Sequence, residues 1–450
     1  MLGLGTENFA PLILYIGFWV MCVISLAGRP TWGLYYTILF LPFRAVRIRL
    51  SPFPLGVSML TILIISVVLG AILQRKHLPK SKLYLIWLVY GIFLYISMWI
   101  GYEMGTMPAP VFLTEGSFVV WKEYMEVPLV FVATALLVED RKAIKMVIFL
   151  TALTLFGIAF LSIHSSSAAR ASATFDEALR GAGPLGYNTN YTAAFLSQFA
   201  MFFWGFLQFV KAKTPKALAL KLAGYGLVAY TLFANMYTFS RGGYLAMLAG
   251  IFVLGILKDR KLLVILGLFL LTWQTIVPTS VRERVTMTKD ANGQLESSAQ
   301  GRIELWEESW NSFVKSPIVG DGFCSFSYGE HVVSELKDTH NLYMKVLVET
   351  GIIGFSIFLV LLQQMLAVGF RLFRRANDLL YCGLGLGLFI AVCSAIAANI
   401  FGDRWTVLEI SGPLWVLVAA AVRANQLAGQ EPLSEPSPLN SNAPAVTRFA

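Results

Sequence analysis

Charge is scarce in this 450-residue chain: 14% of residues are Asp, Glu, Lys or Arg, against 57% that are apolar, and the mean hydropathy is +0.67. A water-soluble fold cannot cover that much apolar surface, so a soluble domain is excluded. Cysteine is nearly absent as a chemical resource. Cys22, Cys324, Cys382 and Cys393 are scattered, which leaves neither a disulfide framework nor a CxxC metal site. Met1 to Ala10 carry Glu7 and no basic residue ahead of the first apolar run, which argues against a cleaved signal peptide. No internal repeat suggests the paired halves of a secondary transporter. The formal charge of +9 would raise nucleic acid as a partner in a soluble chain. Here the Lys and Arg residues fall in short gaps between apolar runs, where they act as topology signals, and no nucleic-acid partner is expected.

What is abundant is apolar sequence of bilayer length. Runs near 9–27, 53–73, 83–101, 120–138, 143–163, 187–210, 217–237, 242–257, 261–278, 345–370, 379–400 and 404–422 predict an all-α integral membrane protein of about twelve transmembrane helices. Basic clusters occupy every second gap: Arg75/Lys76/Lys80/Lys82, Arg141/Lys142/Lys145, Lys211/Lys213/Lys216, Lys258/Arg260/Lys261 and Arg371/Arg374/Arg375. Those gaps are expected in the cytoplasm, together with both termini. The gaps 102–119, 164–186, 238–241, 279–344 and 401–403 then face outward. The organisation expected is an N-terminal bundle over 1–278, an outer loop domain over 279–344, C-terminal helices over 345–425 and a disordered cytoplasmic tail over 426–450, rich in Pro, Ser, Ala and Asn.

One segment resists this scheme. Residues 31–43 are apolar but short, and Arg44, Arg47 and Arg49 follow them on the outer side, against the usual bias. Either residues 31–50 form a re-entrant or interfacial element, the re-entrant arrangement being favoured here, or the chain has thirteen spans with an outer N-terminus. The three arginines either bind an anionic ligand or snorkel to lipid headgroups.

The gap from Thr279 to Met344 is the longest, with six basic and ten acidic residues. Within it, residues 301–314 place apolar side chains at 303, 306, 310, 313 and 314, the spacing of one helical face, which should lie on the membrane surface or on the bundle. Ser297 and Ser298 are candidate caps, Ser316-Pro317 ends the helix, and Arg302 falls in its first turn, where a cation opposes the helix dipole unless an anion binds. Of four histidines, His77 is cytoplasmic, His164 ends a span and His331 lies in the polar part of the loop. His340 marks the point where the loop becomes a helix again. There the dipole and nearby arginines favour the neutral imidazole a general base needs; the alternative is a histidine that only caps its helix. Arg241, in Ser240-Arg241-Gly242-Gly243, has glycines that let a bulky ligand approach, or it snorkels. Arg404 lies in the same leaflet with Asp403 as a ready partner.

Ser240-Arg241-Gly242, Gly301-Arg302 with Leu305-Trp306, Pro317 with Gly320 and Gly322, His340-Asn341 with Tyr343, and Glu349-Thr350-Gly351-Ile352-Ile353-Gly354 together resemble the O-antigen ligase and O-antigen polymerase superfamily of bacterial membrane glycosyltransferases. The match is specific across about 187–370. The resemblance implies a multi-pass protein of the bacterial inner membrane with its site facing the periplasm. Such a protein moves a glycan from undecaprenyl diphosphate to an acceptor hydroxyl, the lipid A core or a similar one, with inversion and without metal or other cofactor. It implies His340 as base and Arg241 and Arg302 as the cations facing the diphosphate. Arg44, Arg47, Arg49 and Arg404 are further candidates for holding the lipid carrier, from topology alone. A polymerase or a protein O-oligosaccharyltransferase has the same core; the short tail after the last apolar run mildly favours a ligase. The alternative of another class is a transporter or flippase for an anionic lipid.

Overall fold

A computed structural model describes residues 6–111, 116–172, 174–180, 183–287, 297–329 and 338–430. The described residues form helices and turns, with no strand. The first third comprises α1 (Thr6–Leu26), α2 (Pro30–Phe40), α3 (Arg44–Leu50), α4 (Met59–Leu73), α5 (Leu83–Glu103), α6 (Gly116–Leu137), α7 (Arg141–Ser165) and the short α8 (Ser167–Ala171). It continues with α9 (Thr189–Leu207), α10 (Pro215–Met236), α11 (Arg241–Leu257), α12 (Lys261–Ile276), α13 (Thr279–Thr286) and α14 (Ser297–Lys315). The last three are α15 (Leu342–Arg375), α16 (Leu379–Ala398) and α17 (Leu408–Ala428). Each apolar run carries a helix. The tail from 431 onward and His331 lie outside the described residues.

Among the described residues six helices are long and apolar enough to cross a bilayer unaided, and a seventh span results if α12 and α13, bent by 111°, count as one. The remaining helices differ for physical reasons. α6 carries Lys122, Glu123 and Glu126. α9 and α17 stand inside the bundle, with Phe195, Phe199, Trp415 and Leu417 wholly buried. A helix wrapped by protein can hold polar groups that lipid would reject. In α17 the Arg423 guanidinium donates to the carbonyls of Ala135, Val138 and His77 at 2.9 Å each. Small residues let the inner helices approach closely: a Cβ at Gly205 of α9 would stand 3.0 Å from Gly387 of α16.

The segment 31–43 does not turn back on itself. The Gln74 amide, just past α4, bonds the carbonyl of Gly28, and the space beside Gly70 is filled by the Ser25 carbonyl. At the other end, Tyr15 of α1 donates to the Pro54 carbonyl before α4 at 3.0 Å. α1 therefore runs parallel to α4, and α2 runs between them in the opposite sense, ending with Leu41 against Gly412 of α17. α2 is thus antiparallel to both of its neighbours, and the short α3 follows it within residues 31–50. The eleven helical residues of α2 span only about 16 Å, short of a bilayer's hydrocarbon thickness.

α15 bends at Gly351, whose φ of 59° and ψ of −167° are not helical. A Cβ there would stand 2.3 Å from the Ile318 carbonyl oxygen, so only glycine fits. The backbone groups freed at the bend are taken up by residues 317–322. Asp321 N and Gly322 N donate to the Val348 and Glu349 carbonyls at 2.9 Å, and Ile352 N donates to the Pro317 carbonyl at 2.9 Å. The Pro-x-x-Gly-x-Gly stretch and the Glu-Thr-Gly stretch, distant in sequence, are thus one welded unit.

Candidate functional site

Four sequence-selected residues meet in one cavity. Arg241, Arg302, His340 and Arg404 all line a space of about 820 Å³ at the end of the bundle that carries α13 and α14. Arg241 is the first residue of α11, where the Ser240 side chain accepts from Gly243 N at 3.3 Å and caps the helix. Gly243 is required by packing, since a Cβ would come within 2.6 Å of the Ala193 side chain in α9. The Arg241 guanidinium donates to the Met287 carbonyl at 2.9 Å, which ties α11 to the segment after α13.

Arg302 sits in the second turn of α14, not the first, because that helix begins at Ser297. Its distance from the helix start weakens the dipole argument made for it. The face of α14 that meets the bundle also differs from the apolar stripe read in the sequence. Gly301, Leu305 and Ser309 are buried, with Leu305 against Phe326 and Val348. Ile303, Trp310 and Val314 point outward instead. The small residues Gly301 and Ser309, eight apart and flanking Leu305, permit close approach to α15, and this outweighs the hydrophobicity of the other stripe.

His340 adopts a left-handed backbone, φ 50°, an uncommon state for a residue with a Cβ. It does not cap α15. Asn341 does, accepting from Tyr343 N and Met344 N at 3.0 and 3.3 Å. The imidazole is partly buried, with Nδ1 4.0 Å from an oxygen of Asp338. Its pKa is held below the usual imidazole range, first by burial and then by the charges of Arg302 and Arg404, while Asp338 opposes them. Trp306 of α14 donates its indole N–H to the Thr339 carbonyl at 3.1 Å, and this fixes His340 relative to Arg302.

Arg404 lies in the loop between α16 and α17, buried, with its guanidinium 5.3 Å from the centre of the Tyr191 ring. Its backbone N–H donates to the Asn399 side chain at 2.8 Å. Asp403, expected from sequence as its partner, instead bonds Lys345 Nζ at 3.0 Å and accepts from Trp405 N, Thr406 N and the Thr406 hydroxyl. That buried pair clamps the Arg404 loop to α15.

Two arginines not singled out from sequence also line the cavity. Arg180 bonds Glu177 at 2.6 Å and Asn190 at 3.0 Å, and Arg284, buried, faces Glu177 at 3.7 Å and the Phe175 ring at 4.9 Å. Both were legible as cations in outward gaps, by the reasoning that drew attention to Arg44, Arg47 and Arg49. Those three lie outside the cavity lining. Arg44 stacks on Tyr187 at 3.9 Å, Arg49 is exposed, and Arg47 faces Glu123, Glu126 and Glu409 at 3.6, 3.7 and 3.5 Å. Among the described residues no group of three or more His, Cys, Asp or Glu is placed to hold a metal ion.

A second, almost purely apolar groove of about 730 Å³ runs between α10, α11 and α12, past Leu232, Leu248, Leu266, Phe269 and Trp273. Arg241 borders it as well as the cationic cavity.

Comparison with known proteins bears on the same region. A family model described as O-antigen ligase matches residues 226–359, which include Arg241, Arg302 and His340. A Rickettsia typhi protein described as a candidate polysaccharide ligase is 26% identical over 203 residues, covering 41% of this chain and 46% of its own length. The chain thus spans about half of that relative. With an all-helical fold rich in apolar helices, these two matches identify the resemblance of this multi-pass membrane chain as one to the O-antigen ligase superfamily, carried by residues 226–359.

Proposed function

We propose that this protein transfers a glycan from a polyprenyl diphosphate, of the undecaprenyl type, to an acceptor hydroxyl on the lipid A core or a similar glycan at the periplasmic face of a bacterial inner membrane. One observation carries the reading: Arg241 stands at the junction of a cationic cavity and an apolar groove. An amphiphile with an anionic head and a long hydrocarbon chain matches that pairing of surfaces, and a lipid diphosphate is such a molecule. The polysaccharide-ligase role of the matched family supports the same reading.

In the proposed reaction the acceptor oxygen attacks the anomeric carbon from the side opposite the diphosphate, so the configuration inverts. A C–O bond forms to the acceptor, the bond to the phosphate oxygen breaks, and the electron pair leaves with the lipid diphosphate. The acceptor proton passes to His340, which its surroundings keep neutral. Charge growing on the leaving diphosphate is met by Arg241 and Arg302, with Arg284, Arg180 and Arg404 around the same cavity. Guanidinium groups suit this because their planar forks bind two phosphate oxygens at once. The cations supply the stabilisation that a metal would otherwise provide, and the reaction is proposed to need none.

The test is transfer by purified protein from undecaprenyl-diphosphate-linked glycan to a panel of acceptors, with a chelator present. His340→Ala should fold yet lose about 10²–10⁴-fold in rate. Wild-type rates in that variant would remove His340 as base, and no transfer by wild type to any acceptor would remove the ligase reading.

A further inference from the structure

Beyond Arg302, α14 turns a different face to a different space. Glu304, Glu307, Glu308, Asn311, Ser312 and Lys315 recur at intervals of three and four, the spacing of one helical stripe, and all of them line a second cavity of about 600 Å³. Its remaining wall includes Asp321, Ser325, Phe326 and Tyr328. The charge is opposite to that of the neighbouring cavity, with four carboxylates and one ammonium.

The wall is rigid where it matters. Asp321 is flanked by Gly320 and Gly322, at φ 74° and 106°, both wedged where no side chain fits: a Cβ would stand 2.5 Å from the Glu349–Gly351 backbone at one and 2.7 Å from Gly101 at the other. The Ser312 hydroxyl donates to the Asp321 carboxylate, and the Asp321 carbonyl accepts from Thr106. Ser325 is 4% exposed, and its hydroxyl has no hydrogen-bond partner among the described residues. A buried hydroxyl left so is costly unless a ligand or water meets it.

The chemistry of the wall selects a ligand. The carboxylates are not gathered closely enough to hold a metal ion, and the space exceeds what one ion needs. Carboxylates only accept hydrogen bonds, with about four sites each, so they call for a partner dense in donors. Tyr328, exposed, adds ring surface. Hydroxyl-rich sugars offer both donors and apolar C–H faces, and an amino group would add attraction, whereas an anion would be repelled.

We propose that this second cavity binds the part of the acceptor saccharide remote from its attacking hydroxyl, as a neutral or amine-bearing glycan, on the far side of α14 from His340 and the donor's diphosphate. The assignment of acceptor rests on the ligase reading above. α14 then sorts the two substrates by charge: Arg302 faces the anionic donor, and Glu304, two residues on, begins the acidic wall.

Binding is measured on detergent-purified full-length protein with three probes: a β-1,4-linked glucosamine disaccharide, its N-acetylated neutral form, and a disaccharide containing a uronic acid. The first two should bind, and the acidic one about tenfold more weakly or not at all. Glu304→Gln, Glu307→Gln and Asp321→Asn should each weaken glucosamine-disaccharide binding about tenfold while leaving undecaprenyl diphosphate binding as in wild type. Glu307 is exposed, so its variant reports even if the Asp321 change unsettles the turn. Equal binding of the acidic disaccharide, unchanged binding in a Glu304→Gln/Glu307→Gln protein, or no binding of any probe at millimolar concentration overturns the proposal. Sugar binding requires no turnover, so its outcome is independent of whether His340→Ala abolishes transfer.

Discussion

At His340 three influences compete for one proton. Burial and the guanidinium groups of Arg302 and Arg404 disfavour the imidazolium, and Asp338, 4.0 Å away, favours it. The net depression keeps the base form present at neutral pH, so transfer should decline only below the ordinary imidazole value of about 6.5 as the ring protonates. Replacing Asp338 with Asn removes a group that raises the pKa. The acid limb of the pH–rate profile in Asp338→Asn should then lie at lower pH than in wild type; a shift toward neutrality would contradict this account of the site. The identity of His340 as a candidate was legible because, of the four histidines, it stands where a long polar stretch gives way to an apolar helix. Its freedom from capping was not legible, since only the folded backbone shows that Asn341 holds the helix start. Arg180 and Arg284 were visible as cations in expected outward gaps, but the sequence carries no sign that those gaps converge on His340.

At the scale of elements, the bend in α15 is the joint on which the site depends. Gly351 takes a backbone state that a side chain resists, and the Ile318 carbonyl fills the space a Cβ would need. Gly351→Ala should destabilise the protein by about 3 kcal/mol, read as a lower thermal midpoint in detergent. Loss of acceptor transfer should accompany it, since residues 317–322 are anchored on that bend. The glycine was visible in sequence as part of a motif, but the motif itself gives no reason for it. That reason is tertiary: the bend strands backbone groups, and a loop some thirty residues upstream satisfies them. α14 teaches a related lesson. Its helical period was plain, yet the face that packs is the one with Gly301, Leu305 and Ser309, because closeness of approach decided the contact.

Across the whole molecule, Arg47 joins elements that are remote in sequence. It faces Glu123 and Glu126 of α6 and Glu409 of α17, and Glu126 and Glu409 are almost fully buried. Removing the cation leaves those buried carboxylates with only the Thr61 and Tyr187 hydroxyls and the more distant Lys122 and Arg44, so Arg47→Met should cost about 3 kcal/mol of stability. Thermal unfolding in detergent measures the loss, and undecaprenyl diphosphate affinity of the folded fraction should stay near wild type. A variant that melts normally but binds the lipid poorly would instead support the carrier-guiding role considered from topology. The all-helical, membrane-embedded character of the chain was determined by sequence alone, because burying a helical backbone in lipid requires only long apolar runs, a local property. Which arginines surround His340, where α2 runs and which face of α14 is polar to a ligand were decided by the tertiary structure. Each depends on how helices far apart in the chain lie against one another, and hydropathy along a chain carries no record of that distance.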